Sequence, residues 1–136
     1  MAYVLDTNAV IALLKNQTAV LAHVRRVGLS QLWICAPVEA ELWFGVWKSA
    51  KPQENRRRLL TLLSWLPSLP FDSEAAAHCG EIRATLARQG TPIGPYDVQI
   101  AAIAQARGFV LVTHNTQEFV RVAGLRLEDW TLPSPE

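Results

Sequence analysis

Asp6 is the single acid in the largely apolar run Tyr3 to Leu14, and Asp97 stands directly ahead of Val98, Ile100, Ala101, Ala102, Ile103 and Ala104. A carboxylate beside two elements of that kind is costly to bury unless something pairs with it. No lysine or arginine lies close in sequence to either. A hard cation such as Mg²⁺ or Mn²⁺ meets that need, because it takes oxygen ligands and accepts few carboxylates together with several waters. Each acid alone also has a plainer explanation. Asp6 can cap a helix, and Asp97 can be a first-turn acid favoured by the helix dipole. Glu39 and Glu41 compete for a third place. They point to different sides of one helix: Glu39 shares its face with Trp43, and Glu41 lies on the face of Gly45, where a missing side chain leaves room. Geometry favours Glu41 only slightly and leaves both open.

The elements that must position these acids follow from the apolar spacing. Tyr3–Val4–Leu5 is a short strand, and Asp6-Thr7-Asn8 is a strand-to-helix turn of capping residue types. Val20, Leu21, Val24 and Val27 have helical spacing, with Gly28 to stop the helix. Leu32 to Cys35 is a second buried strand, followed by a helix over 37–49 that starts at Pro37. Lys51-Pro52 interrupts, and 53–66 forms the second helix of a hairpin. Residues 67–71 make an edge strand. A helix capped by Asp72 or Ser73 runs to about Gln89, and 90–95 is a loop. Asp97 to Arg107 is helical, 109–112 is the clearest strand, 113–118 is a polar turn, and a last short strand falls within 125–130. Whether the start of the 97–107 helix lies near the other acids is not settled by spacing.

Short apolar strands alternating with helices imply an α/β fold: three layers, α/β/α, around a short, mostly parallel sheet. One domain over residues 1–131 with a loose tail over 132–136 accounts for the 136 residues. Ligands of such sheets bind beyond the carboxyl ends of the strands, which is where Asp6 and the 113–118 segment fall. The formal net charge is +1, from 13 basic and 12 acidic residues, so bulk charge does not announce a nucleic-acid binder. Cys35 and Cys79 match no zinc or redox spacing and read as free thiols of a reducing cytosol. The N-terminus lacks the pattern of a signal peptide, and no apolar run approaches the ~18 residues of a membrane span. A cytoplasmic protein is expected.

Four segments together carry a resemblance: Leu5-Asp-Thr-Asn8, Glu41-Leu-Trp-Phe-Gly45, Ile93-Gly-Pro-Tyr-Asp97-Val-Gln-Ile-Ala-Ala102 and Val112-Thr-His-Asn-Thr-Gln-Glu-Phe119. In this order and spacing the chain resembles the PIN-domain ribonucleases, and among them the VapC toxins of bacterial toxin–antitoxin pairs. The likeness extends through Gly124 to Trp130. It implies Asp6, Glu41 and Asp97 as metal-binding catalytic acids, and thereby selects Glu41 over Glu39. It implies Asn115 as a further catalytic position, with Thr7, Thr113 and Glu118 in support. Many PIN domains carry aspartate where this chain has Asn115, so the fourth acid is either missing or supplied by Glu118. One tightly held ion is then expected rather than two. The resemblance also implies hydrolysis of a structured RNA such as a transfer RNA, a homodimer, and a VapB-like antitoxin partner.

RNA contacts must come from local basic groups, and the candidates are Arg25, Arg26, Lys48, Lys51, Arg56, Arg57 and Arg58, with Arg83 and Arg88 behind them. Charged side chains of this kind default to a solvated helix face. His114 could serve as a general base, but filling a turn is its first reading, since phosphoryl transfer on metals needs little side-chain acid–base help. Trp43 and Trp47 read first as core and second as an exposed patch for a partner. Two other phosphate chemistries are disfavoured. A haloacid dehalogenase-type phosphatase needs an acid at Asn8, and a receiver-type domain needs an acid pair, a phosphorylated Asp on a later strand and a lysine. The remaining rival is a PIN-like module that binds nucleic acid without cutting it.

Overall fold

In a computed structural model, which describes residues 1–135, a five-stranded sheet is flanked by helices. The chain runs β1 (Tyr3–Leu5), α1 (Thr7–Leu14), α2 (Thr18–Val27), a 3-10 turn (Leu29–Gln31), β2 (Leu32–Cys35), α3 (Ala36–Lys48), α4 (Pro52–Leu63), β3 (Ser68–Leu69), α5 (Ser73–Arg88), α6 (Pro95–Arg107), β4 (Val110–Val112), α7 (Thr116–Phe119) and β5 (Leu127–Glu128).

The strand order is β3-β2-β1-β4-β5, and all four pairings are parallel. The expected α/β architecture is present, with the sheet wholly rather than mostly parallel. Every residue of β1 and β4 is buried, as strands covered on both faces must be. The chain builds outward from β1 to β2 and β3, then returns to lay β4 on the other side of β1. That reversal of direction, with right-handed crossovers, sends helices to opposite faces. It also makes the β1/β4 boundary the switch point at which ligands of such sheets bind. Asp6 follows β1 and Thr113 follows β4, and the Asp6 amide donates to the Val112 carbonyl at 3.1 Å.

Local signals explain most boundaries. Asp6 caps α1 by accepting the Ala9 amide at 2.9 Å, and Asp72 caps α5 by accepting the Ala75 amide at 3.0 Å. Gly108 ends α6 in the left-handed region, at φ 68°. Three expectations need correction. Pro52 starts α4 instead of interrupting, because a proline at N1 gives up an amide that has no partner anyway. For the same reason α6 begins at Pro95, two residues before Asp97. The polar 113–118 segment contains α7, a helix of four residues that is too short to show periodicity. Both cysteines are free and buried, and burial pushes the Cys35 thiol up to about 12.

The last strand is locked to α2 by a polar cluster. His23, 3 % exposed, donates from Nε2 to the Leu132 carbonyl at 2.9 Å, and its Nδ1 accepts from Arg26 Nη2, also at 2.9 Å. The two bonds together define the neutral Nε2–H tautomer, since a guanidinium can only donate. Arg26 also pairs with Glu128 at 2.9 Å, and Glu128 accepts from Trp130 Nε1 at 2.9 Å. These contacts reach one residue past the expected boundary at 131; of the expected tail, Glu136 lies outside the described residues. Arg26, a candidate for RNA, is therefore already committed within the fold. Arg26→Ala is expected to lower the Tm by several degrees, at about 1–2 kcal/mol for a partly exposed charge-assisted cluster, with little change in RNA affinity. Thermal melts beside RNA titrations check both halves.

Candidate active site

The carboxyl ends of β1 and β4 bring four acids together. Asp6 is 8 % exposed, at the head of α1. Burial raises its pKa, the Thr113 hydroxyl and the Ala9 amide offset part of that, and Glu41 and Asp129 add repulsion. Thr113 is itself 1 % exposed, and its hydroxyl accepts the Asn115 amide at 3.0 Å. Glu41, on α3, is held by Thr7, whose hydroxyl donates to Oε2 at 2.7 Å. Glu39 is turned elsewhere, where it accepts from Trp43 Nε1 at 3.4 Å.

Asp97 occupies the third position of α6. Burial lifts its pKa to about 6, with further repulsion from Glu118, Asp6 and Glu41 and a hydrogen bond shared with Glu118. The α6 start thus lies at the site, which answers the question left open by the spacing. Glu118, on α7, accepts the Gly94 amide through Oε1 at 3.1 Å and the Asn115 side-chain amide through Oε2. Glu118 is the acid that stands against Asp97, in line with the alternative that it supplies the fourth acid, and the Asn115 side chain holds it there. The one-turn helix α7 makes this possible, because it places the two side chains three residues apart on one face.

Gly45 does not play the part expected of it beside Glu41. A Cβ at Gly45 would meet nothing within 4 Å, so the glycine does not make the room for Glu41. Closer packing occurs at Gly94, where a Cβ would stand 3.4 Å from Asp97 Oδ2.

The donor set fits a hard divalent cation. Its members are oxygen ligands that repel one another, and no lysine or arginine pairs with Asp6, Glu41, Asp97 or Glu118 among the described residues. Among those residues no group of three or more acids, histidines or cysteines is set closely enough to hold a metal ion as it stands. Few protein ligands completed by waters is the habit of Mg²⁺.

Glu41 and Asp97 line one cleft of about 510 Å³ between α3 and the start of α6, together with Phe44 and Tyr96. None of the seven basic candidates lines it. Lys48 comes nearest, with Nζ 5.6 Å from the centroid of the Phe44 ring. Lys51 and Arg58 both pair with Glu54 on α4. His114 fills a turn, with Nδ1 3.0 Å from Asp129 and 3.2 Å from the Thr131 hydroxyl. His78 meets Gln105 at 2.8 Å, away from the acids. Trp43 is half-buried against the core, as read from sequence, but Trp47 is 57 % exposed and stacks on Trp43 with centroids 6.4 Å apart. Asp129, Phe44 and Tyr96 were missed by the sequence reading. Phe44 and Tyr96 lay inside quoted motifs and Asp129 inside the stretch through Trp130, but none carried a signal of its own.

Residues 3–125 match the family model described as PIN domain. The chain is 42 % identical over 129 residues to the tRNA(fMet)-specific endonuclease VapC of Shigella flexneri, covering 95 % of this chain and 98 % of that one. It is 38 % identical over 128 residues to Ribonuclease VapC2 of Haemophilus influenzae, covering 94 % and 97 %. Among solved structures it is similar to DNA-bound VapBC from Salmonella typhimurium, with a TM-score of 0.88 and 41 % identity over 96 % of this chain and 98 % of that one.

Proposed function

Since this chain belongs to the PIN-domain family, and within it to the VapC ribonucleases, we propose that it is an Mg²⁺- or Mn²⁺-dependent endoribonuclease whose metal is held by Asp6, Glu41, Asp97 and Glu118. The observation that carries the reading is the convergence of four carboxylates, without a basic partner among the described residues, at the switch point of a parallel sheet. A bound cation there would polarise the phosphodiester and make a water acidic enough to attack it.

The protein's own part is to hold the acids in place and keep them ionised. Thr7 fixes the rotamer of Glu41, the Ala9 amide fixes Asp6, and Asn115 with the Gly94 amide fixes Glu118. Asp97 must give up its proton to act as a ligand. With its pKa at about 6, affinity for Mg²⁺ is expected to weaken as pH falls through 6, and calorimetric titrations at pH 5.5 and 7.5 read this directly.

A transfer RNA is the substrate that the Shigella relative's name suggests. A VapB-type antitoxin is the partner suggested by the VapBC structures, and a homodimer and a cytoplasmic location complete the reading. No helix among the described residues is long and apolar enough to cross a membrane. Substituting the two competing glutamates tests the site. Glu41→Gln should cut RNA cleavage on the order of 10²-fold or more, as losing one charged group at the reacting centre does, whereas Glu39→Gln should stay within about threefold. Equal effects would refute the assignment of Glu41. A folded wild-type protein that cuts no RNA would favour the binding module.

A further inference from the structure

The cleft holding Glu41 and Asp97 is walled by two aromatic rings that the fold leaves in water. Phe44 is 64 % exposed and Tyr96 70 %. Phe44 lies three residues beyond Glu41, on the same side of α3, and Tyr96 directly precedes Asp97. Both line the cleft, and the Lys48 ammonium above Phe44 adds positive charge at its lip. Resting on the ribonuclease reading, we propose that Phe44 and Tyr96 are stacking faces for unpaired bases on either side of the scissile phosphate, with Lys48 meeting the adjoining backbone. The substrate selected at this site is then RNA that is single-stranded at the cut.

Energetics favour this occupant. A cation held by the acids would draw only the phosphate being cut, and a net charge of +1 gives little general attraction for the rest of the strand, so binding must draw on something else. Base–aromatic stacking is worth about 1–3 kcal/mol per base and tolerates any sequence. Neither ring is occupied by the protein core. A nucleotide joined to a phosphate cut beside Glu41 and Asp97 comes within reach of these walls. Bases inside a helix are already stacked on one another and cannot use them.

Binding is read by fluorescence anisotropy in the Asp97→Asn background. The probes are a labelled single-stranded oligoribonucleotide, the same strand annealed to its complement, and unfractionated transfer RNA. Phe44→Leu and Tyr96→Leu should each weaken binding of the single strand and the transfer RNA about tenfold, while Phe44→Tyr and Tyr96→Phe stay within about twofold. The duplex should bind weakly to all. In the active background the leucine variants should raise KM by a similar factor and leave kcat within about twofold. Unchanged binding in the leucine variants, a duplex held as tightly as the single strand, or no binding of any probe would overturn the proposal. So would leucine variants that keep RNA but release a VapB-type antitoxin, since the rings would then serve a protein partner. Cleavage by the wild type is a separate readout: aromatic-dependent binding without cutting would sink the catalytic reading and leave this one standing.

Discussion

Asp97→Asn is expected to abolish RNA cleavage, by about 10²–10³-fold or more, and at the same time to raise the melting temperature of the metal-free protein at pH 8. The two effects have one cause. In the folded chain the Asp97 carboxyl has its pKa lifted to about 6 by burial and then by Glu118, Asp6 and Glu41. In the unfolded chain it returns to about 3.9. Between these values the native state binds the proton that the unfolded state has lost, so stability from this group falls as pH rises and is lowest above about pH 6. Asparagine carries no charge to repel. The gain in the variant should therefore vanish below the unfolded pKa, grow between there and pH 6, and level off above it. The α6 dipole works against the gain by about 0.3–1 kcal/mol, but the upward shift says that burial and repulsion win. Melts of both proteins from pH 4 to 8 in EDTA read the profile. Added Mg²⁺ should then stabilise the wild type and not the variant, because only a ligand that binds the native state shifts the equilibrium. A variant less stable than wild type at pH 8 would contradict the repulsion.

The largest loss of stability is expected from Trp130→Ala. Trp130 is 2 % exposed, lies flat on His23 with centroids 5.3 Å apart, and meets Tyr3 of β1 at 5.5 Å. Its removal opens a cavity between the first strand, α2 and the end of the chain, and it takes away one of the two side-chain donors to the Glu128 carboxylate. Truncating a buried Trp costs about 3–5 kcal/mol, which for a domain of this size lowers the Tm by roughly 10 °C or more. Trp130→Phe keeps the stacking and should cost less than half as much. RNA cleavage well below the Tm should persist in both, because no acid of the site rests on this ring. A melting temperature unchanged by the alanine would show that the His23–Trp130 stack does not hold the chain's end.

Asp6 was legible because burial costs make a lone carboxylate in an apolar run conspicuous and because parallel sheets place ligands past strand ends. Its capping bond to Ala9 shows that the plainer explanation holds, and leaves its second carboxylate oxygen for the metal role proposed above. Asp97 was legible as a residue and not as a location, since only the path of the 90–95 loop decides which way α6 enters. Glu41 and Glu39 differ by two positions on one helix, and what separates them is Thr7, a residue 34 positions away. Glu118 depended on a helix too short for a hydrophobic pattern. Arg26 shows the opposite failure: an arginine near a helix end looks available to RNA until the folded chain delivers Glu128 and His23 to it. Trp47 sits at core-like spacing from Trp43 and points into solvent, because spacing marks a shared face without saying what covers it.

The central claim is that four carboxylates hold a divalent cation on which RNA cleavage depends. It is tested most directly by incubating the purified, partner-free protein with transfer RNA in EDTA and then adding Mg²⁺ or Mn²⁺ in excess to the same sample. The account predicts no cleavage before the addition and discrete cleavage after it, absent throughout for Asp97→Asn. Cleavage by the wild type in EDTA, or cleavage by Asp97→Asn after the addition, would contradict it.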